Sequence, residues 1–305
     1  MAVLGTTNVT LPVEMADGMF VKAQTGSAVA ALSGAEPQKF GTVTVMTLTG
    51  HPKAEYVGEG AQKSSSNPVF GAKTVTPHKV QVTVRFNEEV KWADEDHQLG
   101  VLQALADEGG VALGRALDLG VFHGLNPLSG TSVASIIAGD RIVSGTTNRV
   151  EITTATVGTP DIVVEQVAGL VIADGYVPTG VAFDPTYSWT LATARFADGR
   201  KKFPELGFGT DLTTYEGLTA TSTDTVSARK ETTDTGTKAV VGQWDLLRWG
   251  VQRAVPVQMI EYGDPDGQGD LKRLNQLALR IEVVYGWGVM DLDGFGVAED
   301  KVANT

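Results

Sequence analysis

The residues best suited to chemistry are few in this chain, and their spacing does not assemble a reaction. The four histidines, His51, His78, His97 and His123, stand far apart, with no HExxH and no i, i+4 pair to grip a metal. Each is read as a surface or packing residue. There is no cysteine, which removes disulfides, thiolate metal sites and a cysteine nucleophile. GEGAQKS (58–64) has glycines and a lysine like a phosphate loop, but Gln62 stands where the glycine before the lysine belongs. No helix follows it, and that reading fails. DPDGQGD (264–270) has the acidic spacing of a calcium loop, yet Asn275 occupies the place of the closing glutamate. A polar turn is the better reading. No G-x-S-x-G elbow marks a serine hydrolase. Trp244, Trp249 and Trp287 could line a pocket, but as core or as flat anchors at subunit contacts they need no ligand. The basic run Arg200–Lys202 suits an inter-subunit salt bridge or a solvated face. The sequence therefore predicts no catalytic residue, no cofactor and no metal.

What remains is architecture. From Asp94 to His123, the residues Leu99, Leu102, Ala106, Leu113, Leu117 and Val121 recur at helical spacing and make one apolar stripe. Asp94 suits the N-cap, with Glu95 and Asp96 on the positive end of the dipole. Gly124 and Pro127 mark the end. Such a helix is roughly 45 Å long, well above the usual length. Gly100, Gly109, Gly110, Gly114 and Gly120 each cost up to about 1 kcal/mol against Ala. They predict either close packing against a neighbour or a bend at Gly109–Gly110.

The 305 residues suffice for a large core and for two domains, and their 42% hydrophobic and 20% charged content is that of a soluble protein. The absence of cysteine fits a reducing cytoplasm. No apolar run approaches a membrane span, and MAVLGTTNVTLP has no basic region for a signal peptide. The net charge of −12 speaks against binding nucleic acid by phosphate neutralisation.

Taken in order, residues 1–48 are rich in Gly, Ala, Ser and Thr and read as an extended arm that needs a surface, such as another subunit, to order it. GTVTVMTLTG (41–50) alternates as a strand. Residues 49–86 read as a long hairpin around the polar tip GEGAQKSSSNP, with Val80, Val82 and Val84 alternating on the return side. A lone ribbon is marginal in water and wants a partner surface. Residues 87–158 hold the long helix (94–123) and a strand VEITTATV (150–157). From 159 to 285 the texture is α/β. A helix covers 161–175 behind Thr159 and Pro160, a buried strand 177–185 and a second helix 186–195. A glycine-punctuated loop region spans 199–223, strands fall at 238–253 and 255–263, and a long strand with an apolar closing segment ends the chain.

This order resembles the major capsid protein of tailed double-stranded-DNA bacteriophages. AEYVGEGAQKSSSNPVF with its Lys-Val-rich return strand resembles that family's extended E-loop. RALDLGVFHGLNP resembles the close of its spine helix, VAFDPTYSWTLATAR its axial domain, and QLALRIEVVYGWGVMDLDGFGV its terminal strand. The resemblance implies an α+β fold with N-terminal arm (1–48), E-loop hairpin (49–86), peripheral domain (87–158) with spine helix 94–123, axial domain (159–285) and a closing segment (286–305) that returns to the peripheral domain. It implies self-assembly as hexamers and pentamers into an icosahedral virion shell around double-stranded DNA, without sequence-specific contact and without a membrane. Assembly in the cytoplasm of the bacterial host, a portal, a separate scaffolding protein and a decoration protein belong to the same expectation. Inter-subunit contact is expected at the E-loop tip, from Glu59 and Lys63 to Asn67 and Pro68, and a spine-helix bend at Gly109 and Gly110.

Some family members cross-link their shells by an isopeptide bond between an E-loop lysine and a neighbour's asparagine, helped by a buried glutamate. Here the resemblance points to Lys63 at the predicted tip, to Asn275, and to Glu59 or Glu282, while Lys53 and Lys73 lie on the flanks. The alternative is that Lys63 makes a solvated contact. Two other functions are weighed: an encapsulin-type shell enclosing cargo enzymes, and an α/β enzyme with 159–285 as its catalytic unit.

Overall fold

A computed structural model describes residues 27–50, 52–89, 95–153, 156, 159–204, 206, 212–232 and 234–300. The expectations for residues 1–26 and for Asp94 as helix cap lie outside the described residues. The long helix, α2, runs Glu95–Phe122 without a break. Of its predicted stripe, Ala106, Leu113, Leu117 and Val121 are buried; Leu99 and Leu102 lie outside the described side chains. Its last turns depart from a one-sided surface helix, because Ala116, Asp118, Leu119 and Phe122 are buried too. Gly124 follows in the left-handed region (φ +67°), and the Leu125 N–H closes onto the Leu119 carbonyl at 3.2 Å. The glycines serve close packing: a Cβ on Gly109 would meet Ile281, and one on Gly120 would meet the Trp287 ring at 2.9 Å.

Two sheets flank this helix. The first is antiparallel, in the order β1 (Val43–Gly50), β2 (Val69–Asn87), β9 (Gln276–Val289), β8 (Leu247–Ile260). The second has the order β3 (Asn148–Glu151), β10 (Phe295–Glu299), β7 (Thr237–Gly242), β4 (Gly180–Phe183), β6 (Leu218–Ser222), β5 (Thr214–Tyr215). Its strand β4 is apolar at every position because both faces of the sheet are covered there. Ala182, Val240 and Val297 point toward the helix α1 (Ala28–Leu32) and α2. Val181, Phe183, Ala239, Val241 and Ala298 point the other way, against α4 (Pro160–Ala173) and α5 (Pro185–Thr193). The short helix α3 (Ile142–Gly145) packs beside α2.

The topology corrects several sequence expectations. The division at 159–285 and 286–305 does not follow the sheets: β8 and β9 join the hairpin sheet, whereas β3 and the closing β10 join the α/β sheet. Apolar patterning announces the longer strands, but long-range pairing chooses their neighbours. The outgoing hairpin strand is 43–50, paired from Val43↔Val75 onward, so a boundary at 48/49 cuts it; Pro52 and the glycines beyond cannot sustain a ladder. Over 238–263 the turn falls at Gln243–Leu246, and β8 continues through 254 by means of bulges at Val251/Arg253 and Val255/Gln258. The strand expected at 150–157 is Asn148–Glu151. Inside the loop region 199–223, β6 pairs in parallel with β4. Thr159 does precede α4, but its hydroxyl makes no cap; it donates to the Thr156 carbonyl at 3.3 Å.

The most constrained polar group is Asp118 on α2, with no exposed surface. Its carboxylate accepts from the Ser27 hydroxyl (2.5 Å), the backbone N–H groups of Ala28 (2.9 Å) and Val29 (3.1 Å), and the Thr225 hydroxyl (2.9 Å). It thus caps the start of α1 from another element and ties the 223–232 loop to the same point. Burial pushes the carboxyl up, opposed by these four donors. Replacing it strands several buried donors at once, so Asp118→Ala should cost roughly 3 kcal/mol or more of subunit stability. Denaturant unfolding of the variant, read against wild type at equal slope, measures this directly.

Candidate assembly surfaces

The hairpin projects beyond both cores. Every residue from 52 to 70 is exposed. Along the paired part, the register sets Met46 opposite Ala72, with Phe70 two residues away on the same face; Met46 is 72% and Phe70 61% exposed. Val69 and Tyr56 are exposed as well. Exposed apolar side chains gathered on one ribbon, uncovered among the described residues, are the signature of a contact surface. Solvated β edges carrying such side chains also invite non-specific association unless a partner takes them.

Beyond Gly50 and Val69 the limbs no longer form a backbone ladder, yet they remain tied. The Lys53 N–H donates to the Ser66 hydroxyl at 2.8 Å. Ser64 donates its N–H (2.6 Å) and its hydroxyl (2.5 Å) to the two carboxylate oxygens of Glu55. The Ala61 N–H donates to the Gly58 carbonyl at 3.1 Å, closing a turn with Gly60 at φ +79°. The apex is therefore 58–61, with Glu59 in it; Lys63 lies on the return limb rather than at the tip, and Asn67 and Pro68 stand at the limb's base.

The other residues named for covalent chemistry are dispersed. Asn275 is exposed in the left-handed region (φ 53°), one residue before β9, and its carbonyl accepts from the Glu88 N–H. Glu282 is paired with Lys79 at 2.9 Å across β2 and β9. Glu59 and Lys63 are exposed. Among the described residues no apolar pocket surrounds Lys63 and Glu59, and burial by a neighbour is what the reaction would need.

The acidic loop 264–270 has an internal partner that periodicity did not reveal. Arg85, near the end of β2, donates to Asp266 from its Nε (2.8 and 2.7 Å), to Asp264 (3.0 Å) and to the Gly269 carbonyl (2.9 Å). These hydrogen bonds hold the Asp266 carboxyl below its usual range. The loop is a turn neutralised by a guanidinium. No signal in the local sequence links positions about 180 apart. Likewise Lys202 pairs with Asp161 at 2.9 Å and Arg200 with Asp198 at 2.6 Å, so the basic run is spent within the subunit. Trp244, Trp249 and Trp287 are all core. Trp249 donates to the Ser33 carbonyl and Trp287 to the Asp140 carbonyl. His78 is buried against the Trp287 ring at 4.3 Å, and burial lowers the His123 pKa to about 4 while its Nε2 bonds the Val226 carbonyl. His51 and the His97 side chain lie outside the described residues.

A cavity of about 220 Å³ beside α4 and α5 is lined by Ile152, Thr156, Pro160, Thr186, Tyr187 and Lys238, among others. Lys238 is engaged by Asp234 at 3.2 Å, and the Tyr187 hydroxyl donates to the Pro160 carbonyl at 2.7 Å. That arrangement offers no nucleophile with an adjacent base. Among the described residues no group of three or more His, Asp or Glu could hold a metal ion, and no helix is long and apolar enough to cross a membrane.

A doubly covered sheet, a long helix packed on the antiparallel sheet and a ribbon reaching past both define a shell-forming subunit of the tailed-phage type. The chain belongs to the phage capsid family, whose sequence model matches residues 7–299. A structure from Mycobacterium phage Ogopogo is similar at 50% identity and TM-score 0.81, covering 90% of this chain and 92% of that one. One from Gordonia phage Cozz is 33% identical at TM-score 0.75, covering 90% and 86%. The capsid of a native GTA particle shares the fold at 13% identity and TM-score 0.60, covering 90% of each chain. No match was found among curated proteins. The chain is thus a major capsid protein of the virion. Its role is structural, and it acts by association with its own copies.

Proposed function

We propose that this chain assembles as hexamers and pentamers into an icosahedral shell around double-stranded phage DNA. The shell forms in the cytoplasm of a bacterial host, together with a portal, a separate scaffolding protein and, on the finished surface, a decoration protein. The observation that carries the reading is the exposed hairpin ribbon, with Met46, Tyr56, Val69 and Phe70 open and, among the described residues, without cover in its own subunit. The acidic chain, at net −12, suits an inner surface that does not hold the genome by phosphate pairing. Copurification separates this reading from an encapsulin-type compartment: nucleic acid in the particles is expected, and a single protein cargo without nucleic acid overturns it.

Contact through the E-loop makes deletion of Gly58–Pro68 the direct test. The deleted chain should stay soluble and folded, since no core residue is lost, yet form no closed shells in negative-stain electron microscopy. Normal particles would count against this reading.

Two finer parts of the proposal concern maturation. Gly109 and Gly110 are the point at which α2 bends as a precursor shell expands. Both are buried inside a helix that is continuous in this subunit. Replacing both with Ala should then leave particles at precursor diameter, and ordinary expansion would refute the bend. In an isopeptide bond from Lys63 to a neighbour's Asn275, the Lys63 Nζ attacks the Asn275 side-chain carbonyl carbon, Glu59 takes the amine proton and passes it to the amide nitrogen, and that nitrogen leaves as ammonia; the reaction requires the neighbour to bury the lysine. Denaturing electrophoresis of mature particles decides: a ladder of linked subunits supports the bond, and a lone monomer band makes Lys63 a solvated contact.

A further inference from the structure

The polar limbs of the E-loop, 52–68, are not a random excursion between two strands. Their contacts step toward the apex in one unbroken register: Gly50 opposite Val69, Lys53 bonded to Ser66, Glu55 to Ser64, Gly58 to Ala61. Side chains have replaced the ladder as rungs. Glu55 is the strongest of them, because one carboxylate takes both donors of a single residue on the opposite limb. The two Ser64 donors hold its carboxyl below the usual range, so it is ionised and acceptor-only at neutral pH. Among the described residues no other element supports this segment, every residue of which is exposed.

We infer that the Glu55–Ser64 clamp, helped by the Lys53–Ser66 rung, is a positioning device that preforms the E-loop for docking on a second copy of this chain. A loop of this length with no core beneath it would otherwise be ordered only on contact, and that ordering cost would be subtracted from every subunit interface. The clamp lies next to Tyr56 and Val57, the exposed apolar residues of the outgoing limb. In the continued register Tyr56 stands opposite Lys63, on the alternate side from the clamp. Fixing the limbs therefore fixes where an aromatic anchor and a cation are presented to the neighbour, the kind of rigid aromatic contact that dominates interfaces. The inference rests on the proposed role of the E-loop in shell contact.

The test compares four chains under conditions where the wild type forms shells: wild type, Glu55→Ala, Glu55→Cys with Ser64→Cys, and the deletion of 58–68. Removing the clamp should raise the subunit concentration needed for shells about tenfold, equivalent to about 1.4 kcal/mol per contact. Thermal unfolding of the free subunit should not move, which separates docking from folding. The chain has no other cysteine, so oxidation of the double variant can only tie position 55 to 64 within a loop or link neighbouring copies, and non-reducing electrophoresis tells these apart. Oxidised intramolecular loops should assemble at the wild-type concentration and reduced ones like Glu55→Ala. Assembly of Glu55→Ala at the wild-type concentration, or failure of the internal disulfide to restore it, overturns the clamp. If either happens while the 58–68 deletion forms no shells, the contact role of the E-loop still stands. Normal shells from the deletion overturn both.

Discussion

The fold converges on one carboxylate. Asp118 is taken wholly out of water, a placement tolerable only because two hydroxyls and two backbone N–H groups from two other segments converge on it. Those segments are the start of α1 and the loop after β6, and Asp118 ties both to the last turns of the long helix. The same loop is held from further sides. Arg115, one turn back on α2, bonds Asp224 at 2.6 Å and also Glu231. Buried Asp184, which caps α5, accepts from Ser227 at 2.6 Å and Arg229 at 3.3 Å. Polar groups at the joint between the two sheets thereby fix which way each element enters, a directional demand that apolar packing alone does not make.

Around that joint the body is rigid, and the rigidity has a purpose in assembly. Trp249 and Trp287 face each other across β8 and β9, fill the space under α2 and donate their indole N–H groups to backbone carbonyls. The glycines of α2 let the helix lie directly on this layer. Since β2 runs 19 residues from the exposed ribbon into register with β9, a force on the hairpin is delivered to the core through a continuous ladder. Burial along β2 is greatest mid-strand, at Val75 and His78, where its partner changes from β1 to β9, and falls away to exposed positions at Val69 and Phe70.

Particular residues show why part of this was legible in the sequence. The helix was readable because Ala106, Leu113, Leu117 and Val121 repeat with the helical period, and its end because Gly124 can adopt positive φ. The strand 180–183 was readable as buried because it carries no polar residue. The hairpin could be read as needing a partner because it brings no element to cover it. What misled was adjacency. Closing strands were assigned to domains by their place in the chain, whereas β9 and β10, five residues apart, enter different sheets. The acidic loop 264–270 looked self-contained because Arg85 lies far upstream. Lys63 was placed at the tip because a turn of GEGA had no marker stronger than its glycines.

By itself the sequence determined the local alphabet of this protein: the long helix, the alternation of its strands, the absence of any reactive constellation, and a ribbon that no neighbour in the chain could bury. These are properties of short-range periodicity and of residue type, and both are present in the linear string. Only the tertiary structure decided which strands share a sheet, what neutralises each buried charge, where the hairpin turns and that Glu55 and Ser64 clamp its limbs. Those outcomes depend on contacts between positions far apart in the chain, or on side-chain geometry that identical residue types can satisfy in many ways. Free energy selects among them only when all the partners are brought together at once.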